Sequence, residues 1–326
     1  MSKTIIGIDI SKDHLDAHRL PDGARRRYRN DRTGRSALLK WLRGDGGGDG
    51  GRDGGRGGGR PDLIVYEPTG AYHRDLELTL GTAGLPLAKV NPRHARRFAE
   101  ATGQLAKTDS LDAELLARFG AMVGPKPMTP PSPLLGELAE LRRAHQALVR
   151  DRTAAKNRAK QLRIGLLKRQ NQDRLRRIDA DLKAIEDALQ TLIDQDEALK
   201  ERLEILLSIP GIARLSAFAL LIDMPELGEI GAKQAAALAG LAPITRQSGA
   251  WKGRAAIRGG RAMLRQALYM PAMVAARFNP DLKATYQALI GAGKPPKVAI
   301  TAVMRKLLIL ANALLRHGRK WQYLNA

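Results

Sequence analysis

Five of the nine residues from Pro125 to Pro133 are proline, and no helix or central strand crosses such a run, because each ring fixes φ and removes a backbone donor. The chain is therefore expected to fold as bodies of different character on either side. Upstream, apolar runs alternate with amphipathic ones. Strands are expected at Thr4 to Ile10, Leu15 to Arg19 and Arg25 to Tyr28, turning at Pro21-Asp22-Gly23, followed by a helix at Ser36 to Leu42 and a strand at Leu63 to Tyr66. Helix, strand and helix then follow at His73 to Leu80, Leu87 to Val90 and Pro92 to Ala101. Such alternation predicts an α/β layer around a central sheet.

Downstream the pattern changes. From Leu134 to about Leu207 it is long, charged and helical, with Leu138, Leu141, Ala144 and Leu148 on one stripe. Two antiparallel helices turning near Asn171 are expected, serving as an intramolecular coiled coil, a dimerisation arm or a basic spacer against nucleic acid. The apolar loop Leu207 to Ile212, with Pro210-Gly211, leads into a helix at Leu215 to Ile222. It resembles the hairpin of a helix-hairpin-helix element, although a plain tight connection uses the same residues. The expected division is 1–124, 125–207 and 208–326, the last part mainly helical and interrupted by a loop from Pro243 to Gly260.

The partner is constrained by charge. Across 326 residues, 55 Lys and Arg oppose 33 Asp and Glu, a net charge of +22, and binding a polyanion with release of its counterions is the natural use of such a surplus. DNA and RNA satisfy that term equally. The absence of cysteine excludes disulfide scaffolds and thiolate zinc sites. No signal peptide and no apolar stretch of about 18 residues is discerned, so a cytoplasmic protein away from membranes is expected. Gly44 to Arg60 is nearly all Gly, Asp and Arg, a composition expected of a flexible surface loop.

Four acids break their local patterns. Asp9 interrupts Ile5-Ile6-Gly7-Ile8-Asp9-Ile10, where burial is costly without compensation, and alternation puts it on the face of the small Gly7. Glu67 ends a strand at Glu67-Pro68-Thr69-Gly70, and Asp109 and Asp112 share one helical face in Lys107-Thr108-Asp109-Ser110-Leu111-Asp112-Ala113. Oxygen ligands of this kind suit Mg²⁺ or Mn²⁺. Singly, Asp109 reads as a helix cap and Glu67 as the start of a turn.

Together with Gly7-Ile8-Asp9-Ile10-Ser11-Lys12, these segments resemble the three acidic motifs of the DEDD transposases, the insertion-sequence one-ten family. The stretch Ala239 to Gly249, Ile257-Arg258-Gly259-Gly260 and Leu264-Arg265 resembles that family's second conserved domain. The resemblance implies an N-terminal domain of RuvC-like, ribonuclease H type, a Mg²⁺-binding tetrad of Asp9, Glu67, Asp109 and Asp112, and a nucleophilic Ser248 that forms a covalent phosphoserine link to DNA and frees a 3′ hydroxyl. It further implies a bridge RNA, encoded by the element, that pairs with target and donor DNA. A homo-oligomer, dimer or tetramer, is expected because recombination holds two DNA partners.

The residues themselves are compatible with this reading. A serine hydroxyl needs a base or a polarising group, which metal or carboxylate supplies. The crowded cations Arg246, Lys252, Arg254, Arg258, Arg261 and Arg265 are expected to meet nucleic acid and to neutralise developing charge. Tyr269 and Tyr286, the other candidate nucleophiles, lie in helical apolar patterns and are expected to pack. Two alternatives stay open: a RuvC-like junction resolvase that simply hydrolyses, and a noncatalytic RNA-binding scaffold.

Overall fold

The computed structural model describes residues 3–44, 60–103, 109–128, 132–245, 247–248, 251–253 and 255–322, without side chains for Asp109 to Leu111, Trp251 and Lys252. The expected loop at Gly44 to Arg60, apart from its two end residues, and Arg246 and Arg254 lie outside the described residues. The chain forms two compact units, Met1–Pro133 and Leu134–Ala326.

The first unit is the expected α/β layer. Its five-stranded sheet comprises β1 (Ile5–Ile10), β2 (His14–Leu20), β3 (Arg25–Arg29), β4 (Leu63–Tyr66) and β5 (Leu87–Lys89), in the order β3-β2-β1-β4-β5. The β1–β2–β3 meander is antiparallel, whereas β4 and β5 add parallel to β1. Helices α1 (Arg32–Arg43), α2 (Arg74–Thr82), α3 (Pro92–Ala101) and α4 (Asp109–Val123) complete the unit. α1 begins four residues earlier than its apolar pattern suggests, because the Asp31 carboxylate caps it by accepting the Gly34 N–H at 2.8 Å. α3 starts on the Asn91 cap with Pro92 in its first turn.

The two faces of the sheet bury different sets, as a period of two requires. Ile6, Ile8, Ile10, Ile64 and Tyr66 pack with Leu38, Leu42, Leu76 and Leu80 of α1 and α2. Ile5, Leu63, Val65 and Ala88 pack with Ala95 of α3 and with Leu116 and Phe119 of α4.

In the second unit the arm consists of α5 (Pro133–Ala159) and α6 (Gly165–Asp194), followed by α7 (Glu197–Leu207), α8 (Arg214–Asp223) and α9 (Ala232–Leu238). The reversal falls at 160–164, before the expected Asn171. That residue is buried inside α6, where its amide donates to the Ala155 carbonyl at 3.1 Å; a polar residue that reads as a turn signal is here a hydrogen-bonded pin between helices. Leu138, Leu189 and Ile193, at the root of the arm, share one core with α7, α8 and the C-terminal helices.

Beyond α9, four two-residue strands pair antiparallel: β6 (Pro243–Ile244) with β9 (Ala256–Ile257), and β7 (Gln247–Ser248) with β8 (Trp251–Lys252). The segment expected as an irregular loop is thus a β-ribbon. Helices α10 (Ala262–Phe278), α11 (Pro280–Gly291) and α12 (Pro296–Arg316) close the unit. Contrary to the sequence expectation, α12 is long and apolar enough to cross a membrane; Val303, Leu307, Leu308 and Ala311 are buried in the core, which accounts for its composition. The Pro210-Gly211 connection packs on α10, where a side chain on Gly211 would meet the Pro271 carbonyl and Ala275.

Candidate active site

The acids of the first unit are placed by backbone register. β1 and β4 run parallel with Ile8 opposite Tyr66, so Asp9 and Glu67 follow side by side at the carboxyl ends of neighbouring strands. Alternation puts Asp9 on the face of Ile5 and Gly7, and Glu67 on that of Val65. α4 covers this face. Side chains built on Gly120 would meet Ile5 and Val65, and one built on Gly7 would overlap the backbone of Ala113 and Ala117. Residue number along α4 therefore falls as β1 advances, which brings the first turn of α4, containing Asp109 and Asp112, to the end of the sheet where Asp9 and Glu67 lie. Asp112 stands one turn before Leu116, which is buried against Val65 and Ala88.

Asp9, Glu67 and Asp112 are each partly exposed, at the rim of the core. Carboxylate oxygens are the donor type that a hard divalent cation takes. No cluster of three or more acids or histidines close enough to hold a metal is found among the described residues, a set that leaves out the Asp109 side chain.

A fifth acid belongs to the neighbourhood. Asp16 faces Asp9 across the β1–β2 ladder and is 8% exposed. Arg27, its neighbour on β3, holds it through Nε at 2.7 Å and Nη2 at 3.0 Å. One row across the sheet thus runs Arg27, Asp16, Asp9, Glu67. A buried carboxylate beside another acid needs such a cation. The signal was present in Leu15-Asp16-Ala17-His18, whose alternation places Asp16 and His18 together on the face that α4 covers.

The loops after the two acid-bearing strands are tied by one side chain. Asn30 Nδ2 donates to the Ser11 carbonyl at 2.9 Å and the Tyr72 carbonyl at 3.1 Å. Behind the Glu67 loop, buried Glu77 lies 2.8 Å from Lys89 and 3.4 Å from the His73 ring. Sequence reading found none of these, because each is legible only once strand order is known.

Burial holds His73 below its usual 6.5, helped by the nearby Lys89 cation and opposed by Glu77. Burial likewise depresses His18, opposed chiefly by Glu114. Both histidines then take up protons less readily folded than unfolded, so their contribution to stability is complete above pH 6.5 and is lost as pH falls through the depressed values. Protection factors for amide exchange in β1 and β2 of the full chain, with the intrinsic pH dependence of exchange divided out, are expected to fall below about pH 6.5. In His18→Gln that pH dependence is expected to flatten, and an unchanged profile would count against the assignment.

In the second unit Ser248 is exposed and pairs with Trp251 at the outer end of the β-ribbon. The ribbon springs from a tight main-chain crossing. Gly240 (φ 67°) and Gly260 (φ 63°) approach so closely that a side chain on either would overlap the other strand's backbone. Arg265 donates from Nη1 to the Gly259 carbonyl at 2.8 Å, and Arg261 donates to both oxygens of Glu226 and to the Asp223 carbonyl. These two arginines hold the base of the ribbon, whereas Arg258 is exposed. The Asp223 carboxylate, its acidity weakened by burial against the pull of Arg142 and Arg261, lies 3.6 Å from Arg142 of α5. Tyr286 packs partly buried against the core as expected, but Tyr269 is 42% exposed, on the solvent side of a helix whose other faces carry the packing.

An α/β unit with acids aligned on one face, a mostly helical unit and a large cationic surplus are compatible with a protein that acts on nucleic acid. Residues 6–169 match the DEDD_Tnp_IS110 transposase family, and residues 203–287 match the transposase IS116/IS110/IS902 family. The chain belongs to the IS110 family of transposases. It is similar to the pilin gene-inverting proteins of Moraxella lacunata and Moraxella bovis, each 29% identical over 326 residues that cover 98% of both chains.

Proposed function

We propose that this transposase cuts and rejoins DNA through a covalent link to Ser248, with Asp9, Glu67, Asp109 and Asp112 holding Mg²⁺, or Mn²⁺ in its place, in a RuvC-like N-terminal unit. The observation that carries the reading is the convergence of the acid-bearing ends of β1, β4 and α4 on one face of the sheet. When bound, the cation supplies neutralisation of charge on the scissile phosphate. The residues of the chain do the rest. Ser248 Oγ attacks phosphorus; the Oγ–P bond forms, the bond from phosphorus to the 3′ oxygen breaks, and the departing 3′ oxygen takes a proton. Attack by a 3′ hydroxyl of another strand reverses the step and releases the serine. No ATP is needed, because each phosphodiester broken is conserved as a phosphoserine ester.

Exposure suits Ser248 to this task, since the ribbon carries it clear of its own core. Arg258, with Arg246, Lys252 and Arg254, supplies phosphate contacts, while Arg261 and Arg265 set the base of the ribbon beneath them. A homo-oligomer, dimer or tetramer, holds two DNA partners, and a bridge RNA selects them. The work is intracellular, on genomic DNA.

A denaturing gel of protein with labelled DNA tests the chemistry. In Mg²⁺, label is expected to migrate with the protein through denaturant, and Asp9→Asn is expected to remove that band. Cut DNA with no adduct at any time would instead favour the hydrolytic resolvase. An unaltered result for Asp9→Asn would remove the acid from the site.

A further inference from the structure

The arm is an antiparallel pair. Arg152 of α5 meets Asp179 of α6 at 2.7 Å, and His145 Nε2 lies 3.0 Å from Glu186. Its distal end is therefore the reversal at 160–164 with the first turn of α6. There Ile164, Leu166 and Leu167 are 64%, 55% and 40% exposed. α6 alone, at 30 residues, extends about 45 Å.

Charge identifies what they meet. From Ala155 to Ile178 nine lysines and arginines accompany a single acid, Asp173, whereas the root halves of the two helices, residues 134–154 and 179–194, together carry eight acids and five cations. The surplus is gathered at the tip and reversed toward the root. Two such tips repel each other, so a tip-to-tip contact between copies is disfavoured and a polyanion is favoured. Aliphatic side chains framed by lysine and arginine are the chemistry that enters between base steps while the backbone is held.

We propose that the arm tip is a wedge for double-stranded nucleic acid: Ile164, Leu166 and Leu167 enter between stacked bases, and Lys160, Arg163, Lys168 and Arg169 hold the flanking phosphates. The inference rests on nucleic acid being the partner and is independent of the serine chemistry. Both DNA and RNA duplexes offer the required phosphates and stacked bases, so both serve as probes.

Permanganate oxidises thymines and uracils that have lost their stacking. Full-length protein is mixed with duplex DNA or duplex RNA in EDTA, so that no strand is cut, and protected from non-specific loss by working at saturating occupancy. Wild type is expected to create protein-dependent reactive bases on at least one duplex. The Ile164→Ser/Leu166→Ser/Leu167→Ser variant, altered only at exposed positions, is expected to lose that reactivity several-fold with its salt slope unchanged. Arg163→Ala/Lys168→Ala is expected to lower the magnitude of the salt slope by about 0.9 for each phosphate contact removed. Equal reactivity in wild type and the triple serine variant overturns the wedge. So does a triple variant that dissociates an oligomer in sedimentation while base reactivity persists, a result that would assign the tip to a second copy. A wild-type chain that binds neither duplex would overturn the partner as well, whatever the adduct gel shows.

Discussion

Replacing Ser248 with Ala is expected to abolish strand joining, with a loss on the order of ten-thousand-fold or more, because no second nucleophile stands in for an attacking oxygen that has been deleted. The structure makes the experiment clean. Ser248 is exposed at the outer pair of its ribbon, and its hydroxyl is not needed to satisfy a buried group, so stability should change by less than about 0.5 kcal/mol. DNA binding should survive, since the cations are untouched. Quantitative amplification of recombinant junctions, alongside a binding curve, separates the two effects. Joining that persists in Ser248→Ala would refute the serine mechanism and return attention to hydrolysis, or to exposed Tyr269 as the attacking group.

Gly7→Ala is expected to be among the most damaging single methyl additions in the first unit. The added carbon would overlap main-chain atoms of Ala113 and Ala117, and a helix backbone has no rotamer with which to yield. α4 must lift from β1, at a cost at or above the upper end of the roughly 1–3 kcal/mol typical of overpacking. The same movement carries Asp109 and Asp112 away from Asp9 and Glu67, so activity should fall further than the folded fraction does. Thermal melts and adduct yield, each normalised to folded protein, distinguish the two losses. A variant with wild-type melting and wild-type adduct yield would show that α4 tolerates displacement and that the acids do not depend on its seat.

How much of this was legible beforehand follows from what each signal depends on. Asp9 was visible because a charge within an isoleucine run violates its own pattern, and Gly7 because it shares that face. The strand-and-helix alternation up to Pro133 likewise gave the α/β unit. Asp16, Arg27 and Asn30 were not visible, because their roles come from which strand lies beside which, and register is a tertiary property. The turn at 160–164 was misplaced for a related reason: Asn171 signals a turn in isolation, yet the Ala155 carbonyl of the neighbouring helix accepts its amide inside the helix pair. α12 escaped notice as an apolar span because Lys297, Arg305 and Lys306 interrupt its run without breaking the stripe that faces the core. Crowded arginines around Ser248 read as one group, but Arg261 and Arg265 are spent on Glu226 and on backbone carbonyls.

The chain of contacts that passes from Arg142 to the Asp223 carboxylate, and from the Asp223 carbonyl to Arg261 and Glu226, bears on how such enzymes can be recombined by design. Arg142 belongs to the arm, whereas Arg261 sits at the foot of the serine-bearing ribbon. An arm grafted from a relative would have to match Asp223, or else strand a desolvated carboxylate beneath the ribbon that carries Ser248. Chimeras joined at the proline-rich boundary should therefore fare better than those joined after α6, since the first cut leaves that circuit whole and the second divides it.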